Sequence, residues 1–137
     1  MKVCGVICEY NPFHNGHAHQ LSRAKKLTNA DFLVCAMSGA FVQRGEPACL
    51  DKWTRAEAAL RGGADLVLEL PALFAVRAAQ DFAFGGVSLL DALGFNELAL
   101  GGKLLYLLVA LGADLFNGRC LFIGTDDVVA GREDGHM

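Results

Sequence analysis

The chain has 137 residues, of which 53% are hydrophobic and three are proline, and its formal net charge is -3 at pH 7. This length and composition predict one compact domain with its own core, and they exclude a mainly disordered chain. The balance of 12 basic and 15 acidic side chains argues against a protein that coats nucleic acid through bulk charge.

Apolar runs separated by turn residues predict alternating strands and helices. In chain order these are a strand at 3–8, a helix at 16–27, a strand at 32–37, a helix capped by Asp51 and ending at Gly62, a strand at 66–70, a helix at 78–93 containing Gly85-Gly86, and a strand at 97–100. In the first helix the apolar positions Ala18, Leu21, Ala24 and Leu27 recur every three residues and predict one apolar face. The second helix runs through Trp53, Ala56, Ala59 and Leu60. Strands that are apolar throughout are typical of parallel sheets. The order predicts a Rossmann-like α/β domain with helices on both faces of the sheet.

The loop after the first strand carries the sequence His14-Asn15-Gly16-His17 and leads directly into the first helix. Ligands of parallel α/β sheets bind at the carboxyl ends of the strands. Gly16 lets the backbone approach a ligand, and the first N–H groups of a helix favour an anion. Two imidazoles at this place suit nucleotidyl transfer, in which negative charge grows on the oxygens of an α-phosphate. We predict that His14 and His17 are catalytic, that both face solvent or ligand, and that no covalent intermediate forms.

Three other interpretations of these histidines are open. A zinc site made by His14, His17 and His19 lacks a fourth ligand at a suitable spacing, so we expect no bound metal. Histidines that only cap the helix or face solvent would leave Gly16 unexplained. A cysteine nucleophile paired with one of the histidines lacks a third group to orient it.

The basic side chains concentrate in the first 61 residues. If the fold gathers Arg44, Lys52 and Arg55 at one sheet edge, they could receive an anion such as a triphosphate. Ser38, Arg44 and Lys52 are candidates for contacts with a phosphate or with acetate, and ordinary solvated side chains are the alternative.

The five cysteines form no C-x-x-C pair, and we expect buried thiols in a reducing cytoplasm. The longest apolar stretch, residues 104–111, is far shorter than the roughly 20 residues that a membrane helix needs. No signal peptide is recognisable, because the first apolar run ends at Glu9. We therefore expect a cytoplasmic protein without a membrane partner.

Longer motifs surround the H-x-G-H turn. They are CEYNPFHNGH from Cys8, MSG from Met37, FVQRGEP from Phe41, DKWTR from Asp51 and DLVLELP from Asp65. Together they resemble the bacterial tRNA(Met) cytidine acetate ligases of the H-x-G-H nucleotidylyltransferase superfamily, over about residues 1–101. The resemblance implies ATP-dependent activation of acetate to acetyl-adenylate with release of pyrophosphate. Acetylation of N4 of the wobble cytidine in elongator tRNA(Met) would follow.

The resemblance also implies which residues bind ATP, because the family's ATP-binding stretch falls on residues 7–20 and its adenosine-side glycine on Gly101. The implied contacts are Ile7, Cys8, Glu9, Tyr10, Asn11, Pro12, Phe13, His14, Asn15, Gly16, His17, Ala18, His19, Gln20 and Gly101. ATP is then a substrate, Mg²⁺ can accompany its phosphates, and acetate and tRNA(Met) are the further partners.

The sequence departs from the family after Gly101. Gly102-Lys103 stands where the family has Ser-Glu, and nothing in residues 104–137 matches. The family's longer members carry later segments that complete the ATP site and help to hold tRNA. We expect an ATP-binding domain at 1–102, a divergent segment at 103–137 that completes or flanks it, a truncated chain and weak tRNA binding. A catalytically incomplete ATP-binding remnant and another H-x-G-H adenylyltransferase remain alternatives to an acetate ligase domain.

Overall fold

A computed structural model describes residues 1–95, 97–100 and 120–122. Strands β1 to β5 span Val3–Cys8, Phe32–Ser38, Leu66–Leu70, Glu97–Leu100 and Cys120–Phe122. Helices α1 to α4 span Asn15–Thr28, Lys52–Arg61, Ala72–Ala75 and Ala79–Ala92, and a 3₁₀ turn spans Gln43–Gly45. The four predicted strands and three predicted helices are confirmed to within one residue at each end. The short helix α3, the 3₁₀ turn and strand β5 were not predicted.

The strands form one parallel sheet in the order β3-β2-β1-β4-β5. Val6 of β1 lies opposite Cys35 of β2 on one side and Ala99 of β4 on the other. The chain runs outward from β1 to β2 and β3, and then returns to the other side of β1 with β4. Ligand crevices of doubly wound sheets lie at such a reversal, outside the carboxyl ends of the strands. The Rossmann-like prediction is confirmed, and the end of β1 lies at this reversal.

Side chains of β1 enter two hydrophobic cores on opposite faces of the sheet. Val6 belongs to the core that contains Leu21 of α1 and Ala59 of α2. Ile7 belongs to the core that contains Phe82 of α4. Successive residues of a strand point to opposite faces, so an uninterrupted apolar run is needed to supply both cores. Helices therefore cover both faces, as predicted.

Helix α1 buries only part of the predicted apolar face. Its buried residues are Leu21, Ala24 and Thr28, whereas Leu27 is 40% exposed. A helix repeats every 3.6 residues, so positions spaced strictly by three drift off the buried face within two turns. Thr28 is accommodated because its hydroxyl donates to the carbonyl of Ala24 at 2.7 Å.

Helix α2 buries only some of its apolar side chains. Trp53 is 75% exposed and Leu60 is 45% exposed, whereas Ala59 is buried. Arg55 is completely buried on the inner face. The inner face of α2 therefore carries a charged side chain beside Ala59.

Gly85 and Gly86 lie inside α4 and allow it to approach its neighbours closely. A β-carbon at Gly86 would lie 2.8 Å from Ile7 of β1, and one at Gly85 would meet the ring of Phe74. Two glycines inside a helix are expected to weaken it. Here they also permit close packing against Ile7 and Phe74.

Within the described part of the chain, no helix is long and apolar enough to span a membrane. The predictions for Gly101, for residues 102–119 and for residues 123–137 lie outside the described residues.

Candidate active site

Two histidines form a capping box at the start of α1. His14 is the N-cap residue, and its Nδ1 accepts a hydrogen bond from the Gly16 N–H at 3.1 Å. The Nδ1 of His17 accepts from the His14 N–H at 3.3 Å. The rings stack with centroids 3.7 Å apart and planes inclined by 18°. A nitrogen that accepts a hydrogen bond carries no proton, so the N–H of each neutral ring is at Nε2. The cap therefore fixes the tautomer and leaves two Nε2–H donors at the helix start.

The cap also explains Gly16. A β-carbon at this position would lie 2.9 Å from Cε1 of His14. Contrary to the expectation from the sequence, Gly16 is therefore no argument against capping, because the histidine cap itself favours a residue without a β-carbon there. Capping and ligand binding are not exclusive, because the cap uses only the Nδ1 atoms.

His14 is exposed, as predicted, but His17 is only half-exposed. The His17 ring centroid lies 4.7 Å from that of Tyr10 and 5.6 Å from that of Phe13. Burial, with a smaller effect of neighbouring His14, lowers the pKa of His17 to about 4. His17 is therefore neutral at pH 7, which preserves its Nδ1 as an acceptor and its Nε2–H as a donor.

The residues just before the cap attach it to the body of the domain. Tyr10 is buried, and its backbone is in the left-handed region with φ of 47°. Its ring meets the ring of Phe13 edge-on, with the two centroids 4.9 Å apart. Phe13 packs over Gly62 at the end of α2, where any β-carbon would meet its ring. The Oδ1 of Asn11 accepts a hydrogen bond from the backbone N–H of Cys49 at 2.7 Å. The turn is thus held by the core beneath it and by the loop that follows β2.

The residues of the implied ATP-binding stretch differ in accessibility. The buried ones are Ile7, Cys8 and Tyr10, the half-buried ones are Glu9, Phe13, His17, Ala18 and Gln20, and the exposed ones are Asn11, Pro12, His14, Asn15, Gly16 and His19. The buried side chains belong to the two cores, so only their backbone atoms could meet a ligand. The accessible part of the stretch is the turn from Asn11 to Gly16 and the first turns of α1.

The three candidate phosphate or acetate contacts occupy different environments. Ser38 is completely buried, and its hydroxyl accepts a hydrogen bond from Arg55 at 3.1 Å. Lys52 forms an ion pair with Glu69 at 2.6 Å. Arg44 is exposed in the 3₁₀ turn, with φ of 64°. Of the three, only Arg44 has a side chain with no protein partner among the described residues.

The side chain of Arg55 lies beneath the carboxyl ends of β1 and β2. Its guanidinium donates to the carbonyls of the two residues that follow β1, Glu9 and Tyr10, and to those of Ser38 and Gly39 at the end of β2. Because every guanidinium nitrogen is engaged and the side chain is completely buried, the expectation that Arg55 receives a triphosphate directly is wrong. The sequence does contain a signal for this role. Arg55 lies four positions before Ala59 and therefore on the face of α2 that packs against the sheet.

The metal and cysteine interpretations gain no support from the described residues. Among them, no group of three or more histidine, cysteine or acidic side chains could hold a metal ion. Burial raises the pKa of the Cys8 thiol well above its usual value, so Cys8 is a protonated thiol and a poor nucleophile. Cys4 and Cys35 are buried as predicted, whereas Cys49 is exposed in the loop beside Asn11.

Comparisons with known proteins identify the family of the chain. The model of the family described as HIGH Nucleotidyl Transferase matches residues 1–105. The tRNA(Met) cytidine acetate ligase of Lysinibacillus sphaericus is 52% identical over 75% of this chain and 26% of its own length. The protein of the same name from Clostridium tetani is 54% identical over 76% of this chain and 26% of its own length.

A solved structure, Thermotoga maritima TmcAL bound with alpha-thio ATP, superposes with a TM-score of 0.72 and is 54% identical. The match covers 74% of this chain and 25% of that one. The chain spans about a quarter of the length of the relatives it matches. Since the family match extends over most of the 137 residues, the chain belongs to the HIGH nucleotidyl transferase family.

Proposed function

We propose that the chain is the ATP-binding part of a tRNA(Met) cytidine acetate ligase and that it activates acetate at the His14–His17 turn. The similar proteins carry this name, and one solved relative is bound with an ATP analogue. The observation that carries the proposal is the histidine capping box. It places two Nε2–H donors at a helix N-terminus, at the point where the strand order reverses.

In the proposed reaction, an acetate oxygen attacks the α-phosphorus of ATP. The bond from that phosphorus to the bridging oxygen of the β-phosphate breaks, so acetyl-adenylate forms and pyrophosphate leaves. Acetate is already an anion, and no general base is needed. The task of the protein is to hold the two negatively charged groups together and to stabilise the charge that grows on the phosphate oxygens.

The capping box suits that task. The Gly16 N–H, which belongs to the positive end of α1, donates to Nδ1 of His14. This hydrogen bond polarises the imidazole and makes its Nε2–H a stronger donor. His17 is neutral at pH 7 because its pKa is lowered to about 4. It can donate a hydrogen bond in the transition state without losing a proton, so no covalent intermediate is required.

The remaining components of the reaction are also proposals. Mg²⁺ would be carried by the triphosphate, which is how divalent ions commonly reach such sites. The acetyl group would then pass to N4 of the wobble cytidine of tRNA(Met). A tRNA substrate and the buried thiols of Cys8 and Cys35 agree with a cytoplasmic location.

Nucleotide binding without catalysis is the second candidate function. The observation that favours it is the state of two basic side chains near the sheet edge. Lys52 is paired with Glu69, and Arg55 is bound to backbone carbonyls. Among the described residues, this leaves no buried basic side chain free to receive acetate. A third possibility, another adenylyltransferase of the H-x-G-H type, differs in the group that attacks ATP.

One experiment separates these candidates. Binding of ATP to the chain is measured by calorimetry, and exchange of labelled pyrophosphate into ATP is measured with and without acetate. Acetate-dependent exchange supports the ligase. ATP binding without exchange supports the second candidate, and exchange that depends on a different acceptor supports the third. A chain that does not bind ATP contradicts all three.

The catalytic role of His17 is tested with His17→Gln, introduced at the matching position of an active full-length relative as well. Glutamine at this position of a capping box still accepts from the N-cap N–H, but it lacks the imidazole donor. Removal of a donor to a developing oxyanion costs about 100- to 1000-fold in rate. Ser22→Ala, on the exposed side of α1, is the matched control. Exchange that is unchanged in His17→Gln would contradict the proposed mechanism.

A further inference from the structure

Arg55 is the largest completely buried side chain among the described residues. None of the ion pairs formed by the described residues includes it. Its partners are instead backbone carbonyls and one hydroxyl. Desolvation of a charge without an ionic partner is costly, and apolar side chains of similar size often stabilise a fold as well or better. Packing alone therefore does not account for an arginine at this position.

The carbonyls that Arg55 binds come from two strand ends. Its Nε donates to Tyr10 at 3.1 Å, and its Nη2 donates to Glu9 at 2.7 Å. On the β2 side, Nη1 donates to Gly39 at 2.7 Å and Nη2 to Ser38 at 2.8 Å. One guanidinium thus joins the segment that leads into the histidine turn to the end of the neighbouring strand.

The bond to Tyr10 is important for the geometry of the turn. Tyr10 has φ of 47°, which is unfavourable for a bulky L-residue. Its ring is the surface against which His17 lies at 4.7 Å. A donor fixed under the Tyr10 carbonyl holds the peptide in this conformation, and it thereby holds the platform that orients His17.

The same arrangement affects the electrostatics of the edge. Carbonyl oxygens at the carboxyl ends of strands carry partial negative charge, which opposes the approach of a triphosphate. A guanidinium bound to four of them compensates that charge and adds a full positive charge beneath the surface. Because the group is buried, salt screens it less than it screens an exposed lysine.

We propose that Arg55 is a positioning residue of the nucleotide site: its guanidinium fixes the histidine turn through the carbonyls of Glu9 and Tyr10 and makes the sheet edge attractive to the phosphates without touching them. This inference rests on the proposed function, because it assigns Arg55 to the ATP site described above. It has two separable parts, the shape of the turn and the charge beneath the phosphates.

The first measurement tests the shape and needs no nucleotide. Hydrogen exchange is followed at the amides of His14, Gly16 and Cys49, which are held by the caps and by Asn11, in the wild type and in Arg55→Lys. Lysine keeps the charge but cannot bridge the two strand ends with a planar fork. We expect these amides to exchange about tenfold faster in Arg55→Lys. Arg61→Lys, in the exposed Arg61–Glu57 pair of the same helix, is the control, and equal exchange rates in the two variants would overturn this part.

The second measurement tests the charge. Dissociation constants for ATP and for adenosine are compared in the wild type and in Arg55→Met, corrected for the folded fraction. We expect the ATP constant to rise at least about tenfold more than the adenosine constant, because only ATP carries the phosphates. A purely structural role would change both constants together, and that result would overturn the second part. If the wild type binds neither ATP nor adenosine, the proposed function is refuted, and so is the role of the Arg55 charge in phosphate binding. The hydrogen-exchange measurement would still test whether Arg55 fixes the conformation of the histidine turn.

If Arg55→Lys or Arg55→Met does not fold, Arg55→Ala is titrated with methylguanidinium. Recovery of the folded signal and of ATP binding with this cation, and not with the same concentration of methylammonium, supports the proposal, since only the planar group can bridge the four carbonyls. Equal effects of the two cations would overturn it.

Discussion

Acidification should destabilise the domain through His17. In the folded chain, burial lowers the pKa of His17 from its ordinary value of 6.5 to about 4. Between these values the unfolded chain binds a proton at this ring that the folded chain does not, so stability rises with pH there. The contribution of His17 is fully present above about pH 6.5 and is lost as the pH falls through about 4. Protonation also places a proton on the Nδ1 that accepts the His14 N–H, which breaks the capping box.

The size of the effect follows from the two pKa values. The difference between 6.5 and about 4 corresponds to at most roughly 3 kcal/mol. The ring is half-exposed, so solvent screening reduces the contribution to about 1–2 kcal/mol. Compared with the 5–15 kcal/mol typical of whole domains, this is a measurable share.

The assay is urea unfolding followed by far-ultraviolet circular dichroism at several pH values between 4 and 7. The wild type should lose about 1–2 kcal/mol more than His17→Gln over this interval, because glutamine retains the cap and does not titrate. His19→Gln, an exposed position of the same helix, controls for the loss of an imidazole and should follow the wild type. Identical pH dependence of the wild type and His17→Gln would refute the reasoning, as would an NMR titration of the His17 ring with a midpoint near 6.5.

Three further predictions concern neighbouring features. Gly62→Ala should lower the free energy of unfolding by about 1–3 kcal/mol, because its β-carbon would meet the ring of Phe13; an unchanged melting temperature would show that Phe13 moves aside freely. Glu69→Gln releases Lys52 from its ion pair and should lower the ATP dissociation constant about twofold to fivefold if Lys52 meets a phosphate, whereas an unchanged constant would identify Lys52 as a surface charge. The chain alone, with a net charge of -3, should bind tRNA(Met) weakly in a fluorescence titration at moderate salt, and submicromolar, salt-sensitive binding would contradict this.

The sequence predicted the sheet well because its strands are apolar on both faces. A run such as Val3–Cys8 is typical of a strand inside a parallel sheet, where helices cover both of its faces. The helices were predicted in extent, but their buried faces only in part. In α2 the structure exposes Trp53 and buries Arg55. The spacing from Ala59 indicates the face on which Arg55 lies, but it does not indicate the partners of Arg55, because these are backbone carbonyls that only the folded sheet brings together.

The sequence predicted where the His14–His17 turn lies but not its hydrogen bonds. The position of the His14–His17 turn at the end of β1 follows from element order and from the crevice rule for parallel sheets. The capping role of both rings does not, because serine, threonine, aspartate and asparagine are the usual N-cap residues. Residue spacing also does not specify that the rings stack or which ring nitrogen is left as a donor. Both depend on distances of 3.1–3.7 Å in the folded chain.

The capping role of these histidines changes how substitutions at the site must be interpreted. His17→Ala removes the imidazole donor and also the acceptor that caps the His14 N–H, so a loss of activity would combine a chemical defect with a frayed helix. His14→Asn and His17→Gln separate the two effects, since asparagine is a good N-cap residue and glutamine can complete a capping box. If these variants keep the melting temperature and lose pyrophosphate exchange, the imidazole N–H groups act in the chemistry. If they keep exchange while the alanine variants lose both, the histidines are required only as caps.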